Sequence, residues 1–125
     1  MRPTRRVFVL ALGALAASPA LAQEAGQALA VTMETSSLGR RIELGPARFR
    51  MAGRYQMVEV QAQNLSSRDQ HLEYKIDWFD REGFSVQTTS TWQRLDLSPR
   101  AYEAIRSVGQ VDSAYSARLT IRDRD

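Results

Sequence analysis

The chain has no cysteine, one histidine (His71), and no uncharged apolar run longer than the eleven residues Val7 to Ala17. Each absence removes something. Without cysteine there is no disulfide, no thiol nucleophile and no residue to acylate behind a leader. With a lone histidine that falls on the charged side of a patterned segment, no Ser-His-Asp arrangement is expected. Eleven apolar residues fall short of the roughly 20 that a helix needs to cross a hydrocarbon core of about 30 Å. No stretch carries a sustained apolar stripe of period 3.6, which argues against a helical domain.

What is present begins with an address. Arg2, Arg5 and Arg6 form a basic start, the apolar run Val7 to Ala17 follows, and Ala20-Leu21-Ala22 supplies a small-x-small step. This is the pattern of a cleavable signal peptide over residues 1–22, with cleavage expected before Gln23 and a soluble periplasmic product. Thr4-Arg5-Arg6-Val7-Phe8 also suits the twin-arginine route, so the general secretory and twin-arginine pathways both stay open.

Removing that segment changes the charge argument. The whole chain holds 17 Lys+Arg and 14 Asp+Glu, but three arginines leave with residues 1–22, so the remainder carries 14 of each. A near-neutral domain gives no ground for nucleic-acid binding. Its size fits one domain with a core that needs no staples.

Residues 23–37 are poor in large apolar side chains and are expected to form a flexible leader, with the folded domain spanning 38–125. From Arg40 onward short alternating segments are separated by turn residues. His71 to Trp78 is the clearest: Leu72, Tyr74, Ile76 and Trp78 face one way, and His71, Glu73, Lys75 and Asp77 the other. Met57–Gln63 alternates in the same manner, and the link Asn64–Asp69 suggests an antiparallel pair with His71–Trp78. Asp80-Arg81-Glu82-Gly83 reads as a hairpin turn returning through Phe84–Thr88. Further strands are expected at Arg41–Leu44, Ala47–Met51, Trp92–Leu97, Glu103–Val108 and Ala117–Arg122, with a helical turn possible at Arg100–Ile105. Together these predict an all-β fold, an immunoglobulin-like antiparallel β-sandwich of about seven strands, with Trp78 or Trp92 filling the space between sheets.

Asn64, then Tyr74-Lys75-Ile76-Asp77-Trp78-Phe79-Asp80-Arg81-Glu82-Gly83, then Trp92-Gln93-Arg94-Leu95-Asp96-Leu97 form an ordered set: a tyrosine-basic pair, a tryptophan two before an aspartate, a turn glycine and a second tryptophan before a Leu-x-Leu strand. This stretch resembles the YcfL-like family of bacterial periplasmic proteins, whose function is unassigned. The resemblance implies an envelope location and a small β-sandwich, with Asn64, Tyr74, Trp78, Asp80, Gly83 and Trp92 as the motif positions. It supplies no reaction, ligand or catalytic residue. Members of that family are commonly lipoproteins, a property that a chain without cysteine does not inherit. The family's Ala-Pro step before the last strand is also replaced, here by Val108-Gly109-Gln110-Val111-Asp112.

The remaining candidates divide by chemistry. Met33, Met51, Met57 and His71 are soft ligands in principle, but no Met-x-Met or His-x-Met pair joins them, so a small metal carrier is the weaker reading and no cofactor is expected. Asp77, Asp80 and Glu82 are the one tight acidic group, the minimum for a glycan-modifying enzyme, yet they fall on a strand end and a turn. Residues 38–57 hold Arg40, Arg41, Arg48, Arg50 and Arg54 against Glu43 alone, while 59–82 hold six acids against three bases. Arg48 and Arg50 share a strand face and form a strip suited to an envelope protein or an anionic envelope polymer. A solvated arginine face is the plainer alternative. The expectation is a non-enzymatic periplasmic binding or accessory protein.

Overall fold

The computed structural model describes residues 26–86, 88 and 90–124. The signal peptide over 1–22 and its cleavage point lie outside the described residues.

Alternation decides the two longest strands. In β5 (Gln70–Phe79), Leu72, Ile76 and Trp78 are buried and His71 is exposed, as the period of two requires. In β4 (Tyr55–Asn64), Val58, Val60, Ala62 and Asn64 are buried along one face. The other strands are β1 (Leu29–Met33), β2 (Ile42–Leu44), β3 (Arg48–Ala52), β6 (Gln93–Leu97), β7 (Tyr102–Val108) and β8 (Ser116–Asp123), and a four-residue helix α1 (Leu38–Arg41) precedes β2.

Two sheets face each other. The first runs β1-β8-β5-β6. In the second, β7 lies along one side of β4, while β2 pairs with residues 62–64 and β3 with 55–59 on the other side. Among the described residues, eight strands in two sheets bear out the expected β-sandwich. Between them Val58, Val60, Ile105, Leu72, Leu119, Ile121 and Trp78 form one continuous core. Trp78, 1% exposed, stands at its centre, with the Phe49 ring edge-on at 6.2 Å and Nε1 donating to Ser107 Oγ at 3.0 Å.

Several local expectations give way. Met57–Gln63 and His71–Trp78 are not neighbours; β4 and β5 lie in opposite sheets, because both sides of β4 are taken by β2, β3 and β7, and residues 65–69 carry the chain across the sandwich. Alternation shows which face of a strand is buried, not which strand lies beside it. The leader expected over 23–37 is ordered from Leu29, where β1 pairs in parallel with β8 in register Leu29↔Ala117 to Met33↔Ile121. Its Leu29 and Met33 pack against the core, so the arm is held by burial, and the sandwich is not antiparallel throughout. A parallel partner needs a long crossover, which the rest of the domain supplies.

Arg41 belongs to α1 rather than to a strand. The return strand expected at Phe84–Thr88 is reduced to one bridge, Phe79↔Ser85, with Val86 N donating to Trp78 O at 3.1 Å; residues 87 and 89 lie outside the described set. Beyond it, Ser90 Oγ reaches Ile76 O at 3.2 Å, so a side chain replaces the ladder there. The helical turn allowed for Arg100–Ile105 is not formed: Tyr102–Ile105 belong to β7, and Arg100 lies in a tight turn over Ser98-Pro99-Arg100-Ala101, closed by Ala101 N to Ser98 O at 3.0 Å. Proline second and a positive φ of 64° at Arg100 third make it a type II turn.

Candidate functional site

The motif positions do not converge. Asn64 lies at the Gln70 end of β5 and Asp80 just past its Phe79 end, so ten residues of strand, about 30 Å, separate them. Asn64 is fully buried: Nδ2 donates to Arg68 O at 2.7 Å and to Leu97 O and Ser98 O at 3.1 Å, while Oδ1 accepts from Ser66 N at 2.9 Å and Ser66 Oγ at 2.7 Å. One amide thereby ties the β4–β5 crossing to the β6–β7 link. Asp80 Oδ1 accepts from Glu82 N at 3.0 Å and Phe84 N at 2.9 Å, and Gly83 takes the φ of 91° that the turn needs. Both residues hold turns.

The two tryptophans separate. Trp78 fills the core, whereas Trp92 lies half-buried on the outer face of the first sheet under the Arg122 guanidinium at 3.6 Å, with Lys75 Nζ 5.1 Å away. Its ring is already covered by cations, which fits it poorly as a stacking platform. Tyr74 is half-buried, and loss of solvent, reinforced by Glu103, lifts its phenol above the ordinary value.

That outer face neutralises itself by a ladder that the one-dimensional order does not show. Arg122 Nε lies 2.9 Å from Glu73, and Arg118 3.9 Å from Asp77 while its guanidinium stacks 5.1 Å over Phe79. At the ladder's end His71 Nδ1 meets Asp96 at 2.9 Å, with Arg94 at 3.7 Å and Arg124 Nη1 at 3.1 Å, the last close enough for an ion pair although not aimed for a straight hydrogen bond. The bond from His71, then the Arg124 charge, holds the Asp96 carboxyl below its usual range. Only the strand register reveals this cluster, since His71 and Asp96 are partners across β5 and β6.

The metal and glycan candidates are not assembled. His71 is on the outer face of the first sheet and Met51 and Met57 are in the second, and no group of three potential metal-ligating His, Cys, Asp or Glu residues occurs among the described residues. Asp80 and Glu82 border an open dish of about 220 Å³ with Gln56, Arg81, Asp112 and Tyr115, where Arg81 stacks 4.1 Å over Tyr115. Asp77 is turned elsewhere, toward Ser90 Oγ at 3.0 Å.

The arginine strip is assembled as the parity predicts. Arg48 and Arg50 are exposed on the outer face of β3, and Phe49 between them points inward to Trp78. Arg48 stands opposite Glu59 and Arg50 opposite Met57, but the Glu59 carboxylate is engaged by Arg106 at 2.8 Å. Neither strip arginine has an ion-pair partner among the described residues. Seven other arginines do: Arg41, Arg54, Arg94, Arg106, Arg118, Arg122 and Arg124. A shallow groove of about 190 Å³ runs beside Arg48, where the chain leaves β4 uncovered between β2 and β3 at Gly45-Pro46.

Residues 29–123 match the family described as "Protein of unknown function (DUF1425)". The chain belongs to that family. A crystal structure of a DUF1425 member from Shewanella is similar, with a TM-score of 0.63 at 19% identity over 67% of this chain and 79% of that one. So is cj0090 of Campylobacter jejuni, with a TM-score of 0.60 at 22% identity over 75% of this chain and 97% of that one. At such identities the shared property is the fold. No curated protein matches the sequence. The family match begins where β1 begins, in agreement with an ordered arm from Leu29.

Proposed function

We propose that this DUF1425 chain is a non-enzymatic binding or accessory protein of the bacterial cell envelope, of the YcfL-like type, carried across the inner membrane by residues 1–22 and released into the periplasm. Its partner is an anionic envelope protein or polymer that meets the second sheet along Arg48 and Arg50. The observation that carries this reading is the pair of exposed arginines two residues apart on one strand. Among the described residues neither has a carboxylate partner, whereas seven other arginines are paired, and Arg40, Arg68, Arg81 and Arg100, likewise without an ion pair, lie singly outside the sheets or at α1. Unneutralised guanidinium groups on a rigid strand steer and orient an anionic partner. The motif stretch and family membership support the YcfL-like assignment, and the basic-apolar-small pattern of residues 1–22 supports export.

Affinity capture from an envelope extract at low and high salt tests the binding, and cell fractionation tests the location. The wild-type protein should retain a partner that high salt releases, and Arg48→Glu with Arg50→Glu should fail to retain it. Equal capture by both proteins would refute the strip, and retention in the cytoplasm would refute the export.

A further inference from the structure

The arginine strip lies on a strand whose far side is open. β3 pairs with β4 alone, and no other strand pairs with it among the described residues. The β3–β4 hairpin closes at Ala52↔Tyr55 through the two-residue loop Gly53-Arg54, with Gly53 at a φ of 66°. Glycine with positive φ at the first loop position is the II′ pattern, whose flanking pair exchanges both backbone hydrogen bonds. Counting back from that pair, Ala52, Arg50 and Arg48 turn their N–H and C=O groups toward β4. Phe49 and Met51 turn theirs toward the open edge.

Side-chain and main-chain directions therefore interlock. The backbone groups of Phe49 and Met51 offer a template for a further strand, and the side chains beside that template on the outer face are Arg48 and Arg50, spaced about 6.8 Å along the strand. A strand laid against β3 brings its own alternate side chains next to these two guanidinium groups. We infer that β3 accepts an acidic extended polypeptide segment by strand addition, with carboxylates at positions i and i+2 answering Arg48 and Arg50. The inference rests on the binding reading above and deepens it, naming the class of partner and the way it docks.

The same charges disfavour the commonest rival for an open edge, a second copy of the chain. Antiparallel pairing of two β3 strands about Arg50 sets Arg50 against Arg50 and places both Arg48 side chains nearby. Arginines on an edge oppose self-pairing while favouring an acidic strand. Glu59, the one carboxylate opposite the strip, is engaged by Arg106 and does not compete.

The test uses protein purified from cells expressing the full-length chain and a fluorescent nonapeptide of alternating Glu and Val. Controls are its Gln counterpart, two forms methylated at every second amide in either phase, and phosphatidylglycerol vesicles. The Glu peptide should bind, Arg48→Glu with Arg50→Glu should weaken it by about tenfold or more, and Arg48→Gln with Arg50→Gln by less. One phase of methylation should abolish binding. In hydrogen exchange, the amides of Phe49 and Met51 should slow on peptide addition while that of Arg50, already paired with β4, stays unchanged.

Binding that survives both methylations, or vesicle binding without protection at Phe49 and Met51, would overturn strand addition yet leave the strip as a general anion contact. A peptide that fails to bind while envelope capture still depends on Arg48 and Arg50 would have the same effect. Loss of that dependence as well would overturn both readings. An unchanged thermal transition in the exposed double variants separates lost binding from lost folding.

Discussion

Replacing Asn64 by alanine should be among the costlier single changes in this domain, although it removes only a small polar side chain. Five hydrogen bonds are lost at once, although the carbonyls of Arg68 and Ser98 keep a second donor in Ser66 Oγ and Ala101 N respectively. The Leu97 carbonyl, on a buried strand residue, has little access to solvent and bears most of a desolvation cost of about 1–3 kcal/mol. The Ser66 N–H, part-buried, adds about 1 kcal/mol, and the carbonyls of Arg68 and Ser98 recruit water and add about 0.5 kcal/mol between them. The total is about 3 kcal/mol, enough in a domain of this size to lower Tm by roughly 10–20 °C. Urea unfolding followed by fluorescence measures it, since Trp78 is buried in the native core. Asn64→Asp is the sharper companion: a carboxylate keeps the two contacts from Ser66 but sets its charge against three carbonyl oxygens, so it should be at least as damaging at neutral pH and recover partly in acid. A loss below about 1 kcal/mol in both variants would refute the view that this amide joins the two loop links.

Three further outcomes follow from named contacts. A Cβ on Gly109 would fall 2.5 Å from Ala114 Cβ and 3.0 Å from Trp78 Cδ2, so Gly109→Ala should cost about 1–3 kcal/mol by overpacking and shift the tryptophan emission; an unperturbed spectrum would refute it. Asp80→Ala removes the acceptor for Glu82 N and Phe84 N and should cost about 1 kcal/mol in a urea melt; loss of a glycan-cleaving activity at full stability would contradict a turn-holding role. Asp96 and Asp112 have carboxyls held below their usual range, by the His71 and Arg54 bonds respectively, so each contributes stability above the unfolded carboxyl value of about 3.9 that is lost as pH falls through the lowered folded value. The urea midpoint should therefore fall more steeply between about pH 5 and about pH 3 in the wild type than in Asp96→Asn.

Much of the fold is legible in the residues because alternation is a local property. Each side chain in a strand answers to its own parity, so Leu72, Ile76 and Trp78 announce a buried face and Arg48 and Arg50 an exposed one before any partner is known. Turns are equally local: Asp80 and Gly83 sit where a short polar link needs an acceptor and a positive φ. The arm at Leu29–Met33 was hidden because its neighbour β8 lies at the far end of the chain, and no short-range signal marks a parallel partner.

By itself the sequence determined the class of fold, the parity of each main strand, the placing of the arginine strip, and membership of the DUF1425 family. Only the tertiary structure decided which strands share a sheet, that Trp78 and not Trp92 fills the core, that His71 meets Asp96, and that β3 has an open side. The reason is physical. Period and turn chemistry are fixed over a few residues, whereas neighbours are chosen by which surfaces can be buried together, and that competition involves the whole chain.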